Sequence, residues 1–358
     1  MSSLLSAFGR KVNDGLGLIN LKVLRRADAE LLSQLQFRYG SLLDESTPTL
    51  KDSSVPAAER EYLRPDNPHL QDLVKRYSDM RHSVLAHSVW TNEYTDSEVD
   101  LQLFRGDLAY VWQRRDLNIE VNYLVTFQYM NALDELGLIG RTREDGLFGA
   151  HTVSMERTVV SRDLLDSINE IYFLERALGL SARADFNILD IGAGYGRLAH
   201  RLTEVLPDFG RVFCVDAVAV STFLCDYYLR IRHANERALA VPLDQLDELL
   251  ANQRIDLAIN IHSFSECSLT SIGAWLDIIA ANHVRYLFIV PNAGINKGAQ
   301  LLSREIETSN GPKYRDFSPL IADRGYKLIA RQPKFGEALV QTYGLSPTHY
   351  YLFERVPG

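Results

Sequence analysis

Asn187-Ile188-Leu189-Asp190-Ile191-Gly192-Ala193-Gly194-Tyr195-Gly196-Arg197-Leu198 reads as a buried strand that runs into a glycine turn and then into a helix. Glycines at such a junction permit tight turning and let bare backbone approach a ligand closely. Their spacing selects among ligands. A dinucleotide fingerprint, G-x-G-x-x-G, requires glycine at 197, where the chain has Arg197, and a P-loop requires Gly-Lys followed by Ser or Thr, which is absent. Neither phosphate-gripping loop fits.

Outward from this stretch, the chain after residue 150 alternates short β-rich runs with helical patterns, the signature of a parallel sheet covered by helices. The runs Phe186–Ile191, Arg211–Val215, Ala238–Val241, Ile255–Ile261 and Tyr286–Val290 are followed by Tyr326–Arg331 and His349–Arg355. Tyr195–Val205 and Leu243–Ala251 have helical spacing between them. These seven strands predict an α/β, Rossmann-like, doubly wound sheet with an antiparallel final pair, and Pro347 predicts a bend before the last strand. The first 150 residues are mainly helical in pattern, at Asp28–Tyr39, His69–Trp90 and Ile119–Leu138, with a Pro, Ser and Thr-rich loop over Ser46–Ala58. The expected division is a helical cap for substrate binding or dimerisation over 1–150 and a catalytic domain over 151–358.

Composition narrows the function classes. The 358 residues carry 38 Lys and Arg against 46 Asp and Glu, a formal net charge of −8, which argues against a broad electrostatic grip on nucleic acid. No apolar run reaches the roughly 18 residues that a membrane-spanning helix needs. Cys214, Cys225 and Cys267 have neither CxxC spacing nor an even count, so a reducing, cytoplasmic setting is expected. Met1–Arg26 lacks a secretory apolar core, although an amphipathic surface helix there stays open.

An acid two residues before G-x-G-x-G is the pattern of S-adenosylmethionine methyltransferases. That cofactor carries no phosphate, so Asp190 is expected near its methionine ammonium, with Gly192, Ala193, Gly194, Tyr195 and Gly196 around the amino-acid and ribose portions. Asp216 lies 24 residues past Gly192 at the next strand end, where it is placed to accept hydrogen bonds from the ribose hydroxyls. Ala217 and the Val241–Asp244 turn, with Leu243, are candidate adenine walls; Asp244 has the second reading of an N-cap for the helix near Gln245. In doubly wound sheets the chemistry gathers at the carboxyl ends of the strands. The fourth strand delivers His262 and Glu266 there, and methylating an alcohol requires removal of a proton that hardly dissociates at neutral pH, a task suited to His262. Glu266 has four readings: catalytic base itself, partner of His262, cap of the following helix, or oxygen ligand to Mg²⁺. His151, after a flexible connection, is a reserve base, and Asn292 is a candidate acceptor contact ahead of a polar lid over Asn292–Phe317. The aromatic residues Tyr77, Trp90, Tyr94, Phe104, Tyr110, Trp112, Tyr123, Phe127 and Tyr129 read as core before they read as ligand platforms.

With these residues in view, the chain resembles the bacterial sugar O-methyltransferases of the class I S-adenosylmethionine-dependent superfamily. The resemblance rests on Ser161-Arg162-Asp163-Leu164-Leu165-Asp166-Ser167-Ile168-Asn169-Glu170-Ile171-Tyr172-Phe173-Leu174 and on Asn260-Ile261-His262-Ser263-Phe264-Ser265-Glu266, and it covers about residues 150 to 355. It implies methyl transfer to a sugar or glycoside hydroxyl, and a narrower likeness to the actinobacterial enzymes of polymethylated polysaccharides implies a mannoside. A small-molecule or oligosaccharide acceptor is the expected partner, with a homodimer as a further expectation. Transfer to another hydroxyl or an amine, and a non-catalytic scaffold that holds the cofactor, are the competing readings.

Overall fold

The computed structural model describes residue 33 and residues 55–356, apart from 87–88, 107–108, 111–118, 156, 207, 295 and 309–310. The expected helix Asp28–Tyr39 (all but Ser33), the segment Met1–Arg26, the loop over Ser46–Ala58 up to residue 54, and Trp112 lie outside the described residues.

From residue 55 the described residues run through helices α1 (Ala57–Tyr62), α2 (Pro68–Asp79), α3 (Asn92–Glu98), α4 (Ile119–Leu133) and the short α5 (Leu138–Arg141). The helix expected over His69–Trp90 stops at Asp79, where Met80 turns extended, and only a 3-10 turn, Ser83–Leu85, follows. The one expected over Ile119–Leu138 is cut at Leu133, because the Asp134 carboxylate accepts hydrogen bonds from the Leu138 and Ile139 N–H groups while Gly137 takes a left-handed φ of 64°. An aspartate that bonds its own backbone in this way starts a new turn instead of extending a helix.

Next comes a hairpin that the sequence reading missed, β1 (Thr152–Met155) with β2 (Thr158–Ser161). It feeds α6 (Arg162–Leu178), capped by the Ser161 hydroxyl, which accepts from the Leu164 N–H, and closed by Gly179 at φ 64°. The seven-stranded sheet follows: β3 (Ile188–Ile191), β4 (Val212–Val215), β5 (Ala238–Val241), β6 (Leu257–Ile261), β7 (Tyr286–Val290), β10 (Tyr326–Pro333) and β11 (His349–Arg355). All seven lie within two residues of their expected bounds. Their order is β10-β11-β7-β6-β3-β4-β5, with β3 to β7 parallel and β11 inserted antiparallel between β7 and β10. The polar stretch Asn292–Phe317 holds a second hairpin, β8 (Leu302–Thr308) with β9 (Gly311–Asp316), which its charged residues concealed.

Alternate residues of each strand feed two cores. Ile188, Val212, Leu257, Phe288 and Leu352 face α4, α5, α6 and α7 (Arg197–Val205). Leu189, Phe213, Ala258, Leu287 and Tyr351 face α2, α8 (Ala219–Ile231), α9 (Leu246–Asn252), α10 (Leu269–Ala281) and α11 (Ser318–Ala322). A sheet buried on both faces accounts for near-continuous apolar strands such as Tyr286-Leu287-Phe288-Ile289-Val290. The described helices before residue 150 are shared between these two cores, with Leu73 and Tyr77 in one and Tyr123 and Phe127 in the other.

Beneath the sheet edge, α6 buries several charges. Arg105 Nη2 donates to Glu144 (2.7 Å) and Asp163 (2.8 Å), Arg201 donates to Glu144 (3.0 Å), and Arg197 pairs with Glu170 (2.9 Å). Each of these three carboxylates therefore meets a guanidinium, the condition under which buried charge is tolerated. The Arg105 and Arg201 guanidiniums hold the Asp163 carboxyl well below the usual range against its burial.

Candidate functional site

A cavity of about 970 Å³ opens along the carboxyl ends of β3, β4, β6 and β7. In its first half the glycine loop leaves β3 with the Gly192 N–H donating to the Val215 carbonyl (2.8 Å). Gly192, Gly194 and Gly196 have φ of 69°, 58° and 81°, backbone that L side chains rarely adopt. At Gly192 a side chain would also overlap Ser263, and at Gly196 a Cβ would stand 2.9 Å from the Cys225 sulfur. Helix α7 begins at Arg197, not at the expected Tyr195, because Gly196 is still left-handed.

Two carboxylates flank this loop. Asp216, 8% exposed, accepts from the Gly194 N–H (3.0 Å) on one oxygen and from the Val218 N–H (2.9 Å) on the other. Asp190, 4% exposed, lines the cavity and receives no hydrogen bond from the described residues. Burial pushes both carboxyls up to about 7; nearby Glu170 adds to the effect at Asp190, and Glu266 adds to it at Asp216. Ala193 and Ala217 line the same half. Tyr195 also borders it, but its ring packs against Phe104 and Tyr228 and its hydroxyl donates to Asp163 (3.0 Å).

The second half is organised by the end of β6. Asn260 is fully buried; its amide donates to the Ile191 carbonyl (2.9 Å) and the Ser263 hydroxyl, and its oxygen accepts from the Phe264 N–H (2.9 Å). It ties the β6 end to the glycine loop. His262 follows at φ 70°, ψ −38°, a strained conformation for a non-glycine residue, fixed by its N–H to the Val290 carbonyl (2.7 Å). Its ring lines the cavity, and burial together with the Arg162 and Arg197 guanidiniums holds the imidazole down to about 3. Across from it, Arg162 donates to the Ser346 hydroxyl (2.7 Å), and the buried Lys334 ammonium bonds Asp166 (2.5 Å) and the Leu345 carbonyl (3.0 Å), which fixes the Ser346–Pro347 wall.

Several expected roles move. Glu266 does not pair with His262: its oxygens accept from the Trp90 indole N–H (2.7 Å) and the Asn292 amide (2.6 Å). Asn292 lines the cavity as expected, with its N–H donated to the Ser265 hydroxyl (3.0 Å). His151 is not in the cavity wall and packs edge-on against Tyr123 instead. Leu243 is also outside the wall, buried with its N–H donated to the Tyr77 hydroxyl (2.8 Å). Asp244 caps no helix and pairs with Arg76 (2.5 Å), so the N-cap reading is corrected. Among the described residues no group of three or more His, Cys, Asp or Glu side chains is placed to hold a metal ion.

The sequence reading gave no role to Asn260 or Arg162, and it read Trp90, Tyr94 and Tyr110, which line the cavity, as core first. Arg162 and Asn260 lay inside quoted motifs, and only the three-dimensional placement distinguishes the three aromatics from Tyr77, Phe104 and Tyr123, which are buried.

No family model matches the chain, and no curated protein matches it. Solved structures do. An S-adenosylmethionine-dependent methyltransferase from Clostridium acetobutylicum ATCC 824 aligns over 53% of this chain and 91% of its own, at 11% identity and a TM-score of 0.35. The [4+2]-cyclase SpnF aligns over 55% and 82%, at 14% identity and 0.36. The mitomycin 7-O-methyltransferase MmcR aligns over 55% and 57%, at 18% identity and 0.34.

Proposed function

We propose that this chain is an S-adenosylmethionine-dependent O-methyltransferase that acts on a hydroxyl of a sugar or glycoside. The observation that carries the reading is the pair Asp190 and Asp216, set on adjacent strand ends on either side of a left-handed glycine loop and opening into the cavity that His262 also lines. A buried carboxylate with no donor among the described residues, as at Asp190, fits a ligand that brings its own cation, such as an amino-acid ammonium. Asp216 accepts from the backbone N–H groups of Gly194, Val218 and Ala217 and keeps acceptor capacity for the ribose edge of such a ligand. When bound, this cofactor supplies an electrophilic methyl group.

The chain's own part is to orient the acceptor and take its proton. His262 is neutral at physiological pH and so can accept the hydroxyl proton, but the burial and the guanidiniums that hold it down to about 3 also make it a weak base, so the reading rests on its position in the cavity. Arg162, Asn292 and the Ser346–Pro347 wall shape the space for the acceptor. Polar groups such as the Asn292 amide and the Ser346 hydroxyl suit a polyhydroxylated acceptor, and the narrower likeness to the actinobacterial enzymes of polymethylated polysaccharides supports a mannoside. Glu266 has both oxygens engaged by side-chain donors, so the reading uses it neither as base nor as Mg²⁺ ligand.

Calorimetric titration with S-adenosylhomocysteine tests the cofactor assignment. Micromolar binding by the wild type that is lost in Asp216→Ala is the expected result, followed by methyl transfer to a panel of sugars and glycosides. Absence of wild-type binding would overturn it.

A further inference from the structure

The stretch before α4 contributes two aromatic side chains to the cofactor half of the cavity. The Tyr110 ring lies on the α-carbon of Gly194, where a Cβ would stand 3.2 Å from the ring. Its hydroxyl hydrogen-bonds the Ser221 hydroxyl in the first turn of α8 (2.9 Å), just beyond Asp216 and Ala217. Trp90 packs against the Tyr110 ring with centroids 5.2 Å apart, and its indole N–H is fixed by Glu266 (2.7 Å). Both rings line the cavity. A continuous strap thus runs from the β6 end through Glu266, Trp90 and Tyr110 to α8, over the loop at Gly194.

We infer that Trp90 and Tyr110 are binding residues that form the outer wall of the cofactor site, and that Glu266 is the positioning residue that holds Trp90 there. This rests on the reading of the cavity as an S-adenosylmethionine site. A wall bonded at both ends slows the departure of whatever lies beneath it, because the ligand leaves only after the strap lifts. Asn292 shares the same carboxylate, so the wall of the cofactor half and one edge of the acceptor half are set by one side chain.

The test uses the full chain and S-adenosylhomocysteine, with binding read by calorimetry and release by stopped-flow displacement. Trp90→Ala and Tyr110→Ala should release the ligand about tenfold faster, the scale of one lost aromatic contact. Trp90→Phe and Glu266→Gln should each give a smaller acceleration. In the double variant Trp90→Ala with Glu266→Gln, the glutamine should add nothing further, because a positioning residue has no effect once the group it positions is gone. Thermal melting of the ligand-free variants identifies any that fail to fold, and Trp90→Phe keeps the test intact if the alanine variants do. Release rates within twofold of wild type in Trp90→Phe and Glu266→Gln, or additive effects in the double variant, would overturn the inference while leaving the cofactor assignment standing. Failure of the wild type to bind S-adenosylhomocysteine would overturn both.

Discussion

The two halves of the cavity are built differently. The floor of the half proposed for the cofactor rests on one local motif: two neighbouring parallel strands, β3 and β4, whose register sets Asp190 beside Cys214 and carries the chain into Gly192 and Asp216. The acceptor half is assembled from four separate stretches that supply Arg162, His262 with Glu266, Asn292, and Ser346, and it is held by bonds such as Lys334 to Asp166 and Glu266 to Trp90. A motif of contiguous residues tolerates little change in sequence, whereas a wall gathered from many segments is free to vary in shape. Affinity for the cofactor and choice of acceptor should therefore respond to different substitutions, except at Glu266, which touches both halves.

The largest expected effect lies on the acceptor side. His262→Ala should lower kcat by about 10²- to 10⁴-fold, the usual worth of a general base, while S-adenosylhomocysteine affinity stays within a few fold of wild type. Equal loss of both would merge the two halves into one. Asp216→Ala should do the reverse and weaken S-adenosylhomocysteine by about 100-fold, the scale of two charge-assisted hydrogen bonds.

The pH dependence sharpens the contrast. The carboxyls of Asp190 and Asp216 are pushed up to about 7, so S-adenosylhomocysteine affinity should fall as pH drops through 7 and protonation removes the charge that the ligand needs. His262 is held near 3, so the turnover of the saturated enzyme should show no histidine limb between pH 5 and 8. An acid limb near 6.5 in kcat would mean that bound ligands restore an ordinary imidazole. Stability follows the same groups with the opposite sign. A carboxyl raised on folding binds more protons in the folded chain, so the ligand-free protein loses stability as pH rises from about 4 to about 7. Asp190→Asn should then raise the ligand-free Tm at pH 8 by several degrees even as it weakens cofactor binding, and an unchanged or lower Tm would refute the burial cost assigned to Asp190. The smallest effect belongs to Arg76→Ala, which breaks a half-exposed pair with Asp244 outside the cavity. It should cost at most about 1 kcal/mol in denaturant unfolding and leave S-adenosylhomocysteine binding unchanged.

Legibility in the sequence follows the same division. Strands buried on both faces announce themselves as short apolar runs, and a glycine triplet after an acid at a strand end carries its geometry in its spacing, so the sheet and the left-handed glycine turn were readable. The hairpins were not: Thr152–Met155 is only four residues long, and β9 contains Gly311, Pro312, Lys313 and Arg315, which resemble loop chemistry. The helix over His69–Trp90 was overdrawn because apolar spacing persists past Asp79 after the backbone has turned extended at Met80. Glu266 was recognised as a cavity residue, but its partners Trp90 and Asn292 lie 176 and 26 residues away, and no local pattern links them.

Arg105 bears on how the polypeptide must be handled as a unit. This guanidinium, supplied from before residue 150 and wholly enclosed, faces Asp163 at the start of α6 and Glu144 beside it. A truncated polypeptide starting at 151 would leave Asp163 in the interior without its nearest cation, a defect that typically costs about 3–5 kcal/mol. For most proteins that is a large part of the whole margin of stability. Excision of the helical half would thus strip a counter-ion from the other half as well as a cover from the cleft, and the two should melt in a single transition.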